Sequence, residues 1–488
     1  MRGLILLPVL ILVLMGATTS QNLAISVTSV GLPPSGVTLS AIDGETLTGT
    51  TNTLTYFSDT NAGGAQFNAN STWLNGKIWL GGWDLQPLSA AEVSYDVAMG
   101  NNLYWNSGGV PGNSQVDYNV IRAGGMRIIA GNEDSNTGSE TVGWLGSDEP
   151  DLNLGAGSGP YSNSSGDCTT STACGYTAVQ FWYTGSAPGA TGTLPYAIDH
   201  RAAYTGDGKG VLQFDSSAQA APFLKWSDIN AADNYWFTDT NDYGADNPWG
   251  ACQAAPNSTA CTNWTSGGGF TAAQAQLAAN YESNVTVLRA IQKSNGLGSK
   301  PIAADIETGC PFSNGNCVTP AQFTAAAWHV LIAGARGVIW FQHNFSGPCI
   351  DFNTFYDGSN PSSSKYNCQI TPGETLANLV QAVTAVNAEI NGLSPVLLSP
   401  FANGYVTAAG TVSVMAKYYN STFYVFAGSG QPGTPPPANQ SVTFTLAGSP
   451  TTTVTVVNEG RAINVLNGQF TDTFADANSV HIYQIPWY

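Results

Sequence analysis

Apolar residues are distributed in two different ways along the chain. Between about residues 77 and 394, short apolar runs alternate with segments in which apolar residues recur at helical spacing. After about residue 394 the helical spacing stops, and segments of alternating or continuous apolar character follow, separated by turn residues. Residues 21–70 also contain short β segments among Gly, Pro, Thr and Asn. The pattern predicts an α/β region flanked by β segments.

Eight apolar runs of the α/β region predict strands. They lie at residues 77–83, 102–105, 126–130, 141–146, 211–214, 235–238, 301–306 and 337–341. Helical spacing predicts helices at residues 89–99, 116–123, 178–182, 272–293, 319–333 and 375–390. Eight strands that alternate with helices are the signature of a (β/α)₈ TIM barrel. Seven later β segments predict an accessory β-sandwich; they lie at residues 404–406, 411–418, 422–427, 441–446, 451–457, 461–465 and 480–485.

The beginning of the chain has the features of a secretory signal peptide. Arg2 precedes an apolar run over residues 4–15, and small and polar residues follow over 16–20. The run is shorter than the ~20 residues that span a bilayer, so a membrane anchor is the less favoured alternative. We therefore predict four segments and a secreted, extracellular protein. The segments are a signal peptide (1–20), an N-terminal β segment that packs on the β-sandwich or the barrel base (21–70), the barrel (71–394) and the β-sandwich (395–488).

Composition narrows the range of partners. Charged residues make up 9% of the chain, the net charge is −18 and the pI is near 4.3. Such an acidic chain repels nucleic-acid backbones and anionic lipids, so we expect neither nucleic acid nor, after signal cleavage, a membrane as partner. The 13 Trp, 20 Tyr and 19 Phe need burial or a ligand to stack on. The oligomeric state is not predicted.

Cysteine and histidine usage favours disulfides over a metal site. The eight cysteines form four neighbouring pairs, each shortly after a predicted strand, and sequential pairing is the simplest expectation outside the cell: Cys168/Cys174, Cys252/Cys261, Cys310/Cys317 and Cys349/Cys368. The four histidines lack metal-ligand spacing, so we expect no metal and no organic cofactor. Eight sequons make N-glycosylation feasible; their asparagines are Asn70, Asn163, Asn257, Asn263, Asn284, Asn344, Asn420 and Asn439.

Two glutamates stand where a barrel places catalytic groups. Glu149 follows predicted strand four, and Glu307 ends predicted strand seven. Side chains at the carboxyl ends of these strands face the barrel mouth, and strands four and seven lie across it from each other. Two carboxyl groups so placed can flank a scissile glycosidic bond. The alternative is that each glutamate caps a loop or pairs with an arginine.

Three segments of the barrel region resemble clan A glycoside hydrolases: residues 143–150, 302–308 and 334–341. Residues 457–461, 468–472 and 480–483 resemble the β-sandwich that is often appended to these enzymes. The resemblance implies a secreted retaining glycoside hydrolase that cleaves an extracellular poly- or oligosaccharide through a covalent glycosyl-enzyme. It also implies that Glu149 is the general acid/base and Glu307 the nucleophile.

The positions of further residues in the predicted barrel indicate a role in substrate binding. We expect these residues to line the cleft after strands one, two, six and eight: Trp83, Asp84, Trp105, Asn106, Asp239, Trp340 and His343. A Trp face stacks on the C–H surface of a sugar, although packing in the core is the alternative role for each Trp.

Asp148 departs from the clan pattern, which places Asn before the acid/base. Its charge would raise the pKa of Glu149. The Asp148–Glu149 pair also resembles substrate-assisted hexosaminidases, which use no enzyme nucleophile. Asn132-Glu133 is a second candidate for the clan's Asn-Glu pair, with a different strand count. A further alternative is a non-catalytic carbohydrate-binding or surface-layer protein on the same scaffold.

Overall fold

The computed structural model describes residues 24–26, 34–40, 53–55, 77–83, 89–105, 118–131, 140–145, 162–163, 166–167, 201–204, 221, 223–225, 229–238, 271–297, 300–311, 317–345, 349–350 and 353–487. The structural statements below concern this part of the chain. Within it, no helix combines the length and the apolar character needed to cross a bilayer. The proposed signal peptide lies outside the described residues.

Short strands come first in the chain. They are β1 (Ala24–Ser26), β2 (Thr38–Ser40) and β3 (Thr53–Thr55). The parallel sheet follows, with β4 (Trp79–Trp83), β5 (Leu103–Trp105), β6 (Arg127–Gly131) and β7 (Thr141–Leu145), and, after the small hairpin of β8 (Ser162–Asn163) and β9 (Gly166–Asp167), β10 (Arg201–Tyr204), β11 (Ile229–Ala232), β12 (Ile302–Glu307) and β13 (Gly337–Phe341). Apart from β8 and β9, the eight strands from β4 to β13 pair in parallel. Strand β13 pairs with β4, so that the sheet closes on itself.

Helices cover the outside of this sheet after five of its eight strands, as far as the residues are described. They are α1 (Ala90–Ala98), α2 (Tyr118–Gly124), α3 (Ala272–Ala275), α4 (Tyr281–Ser294), α5 (Pro320–Ile332), α6 (Thr354–Ser359) and α7 (Leu376–Leu397), with a 3₁₀ turn at Ala278–Asn280. The predicted α/β class is therefore present. A helix after every strand remains a prediction.

Capping residues explain where several helices begin. The Ser89 hydroxyl accepts a hydrogen bond from the backbone N–H of Glu92 at 3.2 Å, and the Glu92 carboxylate accepts one from the Ser89 N–H. Thr319 makes the same reciprocal pair with Gln322, and Pro320 occupies the first position of α5. Both starts satisfy N–H groups that have no partner inside the helix.

The predicted helix over residues 272–293 is broken in the structure. The short helix α3 ends before the 3₁₀ turn, and α4 begins at Tyr281. Asn280 explains the break, because its side-chain amide donates to the carbonyls of Gln274 and Ala275 at 2.8 and 2.6 Å. These bonds satisfy carbonyl groups that the end of α3 would leave without partners.

The sequence-based positions of strands five and six are wrong. The fifth strand is β10, and residues 211–214 lie outside the described residues. The sixth is β11, while residues 235–238 lie in the turn region directly after it. The aromatic run Tyr235-Trp236-Phe237 has the composition of a strand, whereas Ile229–Ala232 is short and rich in alanine. Burial of the three rings, rather than strand formation, accounts for the aromatic run.

Antiparallel sheets form the C-terminal part of the protein. The predicted β-sandwich region contains β16 (Phe401–Asn403), β17 (Val406–Ala409), β18 (Val412–Tyr419), β19 (Thr422–Ser429), β20 (Gln440–Leu446), β21 (Thr452–Val456), β22 (Arg461–Val465), β23 (Gln469–Phe474) and β24 (Val480–Pro486), after a hairpin of β14 (Gln369–Thr371) and β15 (Glu374–Thr375). The seven-stranded sheet has the order β2-β16-β18-β19-β24-β21-β22, and β17, β20 and β23 form the second sheet. The N-terminal strand β2 therefore pairs with the C-terminal region, through β16.

Two of the expected disulfides are present. Cys310 is bonded to Cys317, and Cys349 to Cys368. The four other cysteines, Cys168, Cys174, Cys252 and Cys261, lie outside the described residues. Both bridges lie in the segments that follow β12 and β13, at the end of the parallel sheet where its strands terminate.

Candidate active site

Glu307 is the last residue of β12 and points to the inside of the closed sheet. Its Cα pairs with that of Phe341 at the end of β13. Side chains alternate between the two faces of a strand, so Glu307 shares a face with Ala303. Ala303 and Phe341 both belong to the apolar cluster enclosed by the sheet, whereas Ile306 packs in the outer layer with the helices. The carboxyl group therefore lies at the carboxyl end of the closed sheet. Enzymes with a (β/α)₈ barrel place their active sites at that end of their sheet.

Three donors hold the Glu307 carboxyl group. Its Oε1 accepts hydrogen bonds from the backbone N–H of Phe237 at 2.5 Å and from the Tyr281 hydroxyl at 2.6 Å. Its Oε2 accepts a hydrogen bond from the Thr238 hydroxyl. Two of these donors follow β11, and the third begins α4, so the segment after the sixth strand supplies all three. Both oxygens are engaged and the side chain is only 1% exposed.

Burial and hydrogen bonding act on the Glu307 carboxyl group in opposite directions. Burial raises its pKa, whereas the hydrogen bonds from Thr238, Tyr281 and Phe237 lower it, and the balance places the pKa at about 7 instead of 4.5. A carboxyl group with such a pKa changes its charge near neutral pH. Perturbed groups of this kind concentrate at functional sites.

Aromatic side chains share the interior with Glu307. Register connects Phe341 to Trp83 and Trp83 to Trp105 across β13, β4 and β5. All three side chains are buried in the interior cluster, together with Tyr235. The ring of Tyr235 meets that of Phe341 edge to face at 5.1 Å, and its hydroxyl donates to the Asp233 carboxylate at 3.0 Å. The site is thus lined by aromatic rings and carboxylates.

Trp105 carries an unusual polar atom. Its side chain is 0% exposed, and the indole Nε1–H has no hydrogen-bond partner in the part of the chain that the structure describes. A buried donor without a partner is costly.

His343 lies two residues beyond the end of β13. Its Nε2 is 2.7 Å from the carbonyl oxygen of Trp83, so this nitrogen carries the proton and donates. His343 and Phe341 are two residues apart and their rings are in contact at 5.6 Å, which places both on the inner face.

The prediction that Trp340 lines the cleft is wrong. Trp340 is fully buried in the outer cluster, and its indole Nε1–H donates to the Asn387 side chain of α7 at 3.1 Å. The reason is the alternation of side chains along β13, which turns Trp340 to the helices and Phe341 to the interior. Trp83 and Trp105 lie on the inner face.

The remaining predicted site residues lie outside the described residues: Asp84, Asn106, Asp148, Glu149 and Asp239. Glu133 of the alternative pair lies outside them as well. Strand β7 ends at Leu145, so Glu149 follows the end of the fourth strand by four residues. Its role and its distance from Glu307 remain predictions.

Sequence analysis missed the residues that hold Glu307. Thr238 lies in a predicted strand and Tyr281 in a predicted helix, but nothing in their spacing pairs them with a carboxylate 69 or 26 residues later. Their roles follow only from the position of the turn after β11. Within the described ranges, no group of three or more His, Cys, Asp or Glu side chains is arranged to hold a metal ion.

No protein-family model and no curated protein sequence matches the chain. Several solved structures are similar to it. An endoxylanase of family GH30 from Clostridium papyrosolvens C71 shares 10% identity over 84% of this chain and 96% of its own, with a TM-score of 0.39. The α-amylase from Geobacillus thermoleovorans, solved with acarbose, shares 10% identity over 84% and 98%, with a TM-score of 0.39.

A third similar structure is the maltogenic α-amylase AmyB from Thermotoga neapolitana. It shares 10% identity over 85% of this chain and 100% of its own, with a TM-score of 0.39. These three similar structures are all of glycoside hydrolases. At these identities and TM-scores, the likeness assigns neither a family nor a substrate to this chain.

Proposed function

We propose that the protein is a secreted retaining glycoside hydrolase with a (β/α)₈ barrel and a C-terminal β-sandwich, which acts on an extracellular poly- or oligosaccharide. In this proposal Glu307 attacks the anomeric carbon, and Glu149 first protonates the leaving oxygen and then activates water. The domain limits are those expected from the sequence, and no resident cofactor takes part.

The observation that carries the proposal is the position and environment of Glu307. It stands at the carboxyl end of a barrel strand, on the inner face and among aromatic side chains. Three donors stabilise its ionised form, which is the form that attacks, although its pKa is raised to about 7. Before Oε2 can attack the anomeric carbon, its hydrogen bond with the Thr238 hydroxyl must break. The proposal therefore includes a movement of the Thr238 side chain when substrate binds.

The raised pKa makes a prediction about the pH profile. A nucleophile must be ionised, so kcat/KM should rise with pH through about 7. The general acid Glu149 must be protonated in the same step, so the profile falls again at higher pH, and a profile without an ionisation near pH 7 would contradict the role of Glu307 as nucleophile.

One observation favours a second candidate function. The Glu307 side chain is 1% exposed with both oxygens engaged, which also suits a carboxylate that only stabilises the loop after β11. The second candidate is accordingly a non-catalytic, extracellular carbohydrate-binding or surface-layer protein on a glycosidase scaffold.

Activity screening with matched variants separates these proposals. The full chain is assayed against polysaccharides and aryl glycosides, beside Glu307→Gln, Glu149→Gln, Asp148→Asn and Asp96→Asn. Asp96 is the control because its carboxyl group is also buried, with a pKa raised to about 7 by burial, but it lies in the helix layer, hydrogen-bonded to Tyr104.

We expect each glutamate variant to lose more than about a hundredfold in kcat/KM, and Asp96→Asn to keep its activity. Activity that survives in Glu307→Gln but not in Glu149→Gln or Asp148→Asn would overturn the double displacement in favour of the substrate-assisted mechanism. Polysaccharide binding without any hydrolysis would support the second candidate.

A further inference from the structure

Phe345 is an exposed aromatic side chain next to the candidate site. Among the described residues, four large hydrophobic side chains are exposed, and Phe345 is the aromatic one, at 44%. It lies four residues beyond the end of β13, at the same end of the barrel as Glu307. Its ring is therefore accessible to a ligand at the end of the barrel that contains Glu307.

The Phe345 ring is placed by two other rings of the inner face. Its centroid lies 5.5 Å from that of Phe341 and 6.5 Å from that of His343, and it is nearly parallel to the His343 ring, at 24°. Phe341 is the register neighbour of Glu307. The outer ring of this cluster is thus exposed, while the inner rings reach the interior that contains the carboxyl group.

The backbone around Phe345 is fixed to both neighbouring segments. The Phe345 N–H donates to the Pro311 carbonyl at 3.0 Å. The side chain of Asn344 accepts from the Cys310 N–H at 2.7 Å and donates to the Cys349 carbonyl at 3.2 Å. Both cysteines are in disulfides, so the segments after β12 and β13 are cross-braced beside the ring.

Gly309 allows this arrangement. Its φ is +80°, and a Cβ added there would lie 2.6 Å from the Asn344 Oδ1. A glycine therefore lets the backbone approach the Asn344 side chain closely. These contacts position the Phe345 backbone without a ligand, and a positioned residue loses less conformational entropy when a ligand binds.

We propose that Phe345 is a stacking platform for a sugar ring at the rim of the barrel. The inference rests on the proposed function, because it assigns the platform to a ligand whose other end reaches Glu307. A flat apolar ring suits the C–H face of a pyranose.

Affinity electrophoresis of the full chain through gels that contain soluble xylan, starch, carboxymethyl cellulose or laminarin tests the platform. The variants are Phe345→Ala, Phe345→Trp and Ile350→Ala. Ile350 is the matched control, since it follows the same strand and is an exposed apolar residue at 53%. Thermal melting verifies that each variant is folded.

We expect at least one polymer to retard the unchanged protein, with a Kd about tenfold higher for Phe345→Ala. Phe345→Trp should bind at least as tightly as the unchanged protein, and Ile350→Ala equally tightly. Three results would each overturn the platform. They are an unchanged protein that none of the polymers retards, a Phe345→Ala variant that binds as tightly as the unchanged protein, and an Ile350→Ala variant that loses as much affinity as Phe345→Ala.

Hydrolysis by the unchanged protein separates this inference from the proposed function. Binding that depends on Phe345 without hydrolysis supports the platform and counts against the enzyme. Hydrolysis combined with wild-type binding in Phe345→Ala overturns the platform and leaves the enzyme proposal standing.

Discussion

The Tyr281 hydroxyl favours the ionised form of Glu307, and its removal should make the protein less stable at alkaline pH. In Tyr281→Phe the ring keeps its packing against Phe237, at a centroid distance of 5.0 Å, but the donor to Oε1 is lost. An ionised carboxylate gains more from a donor than a neutral carboxyl group does, so the pKa of Glu307 rises further above about 7.

The magnitude follows from the change in pKa. Burial of Glu307 raises its pKa from 4.5 to about 7. At about 1.4 kcal/mol per unit, ionising it in the folded protein costs roughly 3 kcal/mol of stability. This stability is fully present below pH 4.5 and is lost as the pH rises through about 7. A hydrogen bond to a charged group contributes about 1.5–3 kcal/mol, so Tyr281→Phe should lose about 1.5 kcal/mol more at alkaline pH than at acidic pH.

Urea unfolding at pH 5 and pH 8.5 measures this difference. Tyr405→Phe is the control, because Tyr405 is a fully buried tyrosine of the C-terminal region whose hydroxyl has no hydrogen-bond partner in the described structure. We expect the gap in the free energy of unfolding between the unchanged protein and Tyr281→Phe to widen with pH, and the gap for Tyr405→Phe to stay constant. Equal gaps for Tyr281→Phe at both pH values would refute the reasoning.

Two further predictions concern buried polar groups. Burial raises the pKa of Asp96 to about 7, so the stability that its neutral form contributes is present below pH 3.8 and lost as the pH rises through about 7. An asparagine side chain does not ionise. In urea unfolding, the free energy of unfolding of Asp96→Asn should therefore rise by roughly 3–4 kcal/mol relative to that of the unchanged protein between pH 4 and pH 8.5. Equal differences at both pH values would contradict this. When the protein is secreted from a eukaryotic host, glycopeptide mass spectrometry should find glycans at the exposed Asn420 and Asn439 and not at the buried Asn284 and Asn344. A glycan at either buried asparagine would show that the fold around it is wrong.

Strands could be predicted where one continuous apolar run was buried on both faces. Residues 337–341 were predicted as a strand and form β13 with the same limits. The prediction failed at β11, because Ile229–Ala232 is short and weakly apolar while the aromatic turn after it has a stronger strand composition. Local composition does not reveal that Tyr235 faces the interior and Trp236 the helices; that depends on the tertiary packing.

The candidate site could be predicted only in part for a related reason. Glu307 could be identified as a candidate because the local sequence shows that it ends a strand. Its donors Thr238 and Tyr281 depend on contacts between distant segments. The error at Trp340 came from neglecting the period of two, which turns successive side chains to opposite faces. The same period, continued from Phe341 through His343, would have drawn attention to Phe345.

The identity of the nucleophile is tested most directly by trapping the covalent intermediate. A 2-deoxy-2-fluoro glycoside of the sugar found in the screen, with a good leaving group, slows the second displacement more than the departure of its own leaving group, so the glycosyl-enzyme accumulates. Peptide mass spectrometry then locates the sugar. The account predicts one glycosyl group on the carboxylate of Glu307; turnover with the sugar attached to another residue, or with no covalent adduct, would contradict it.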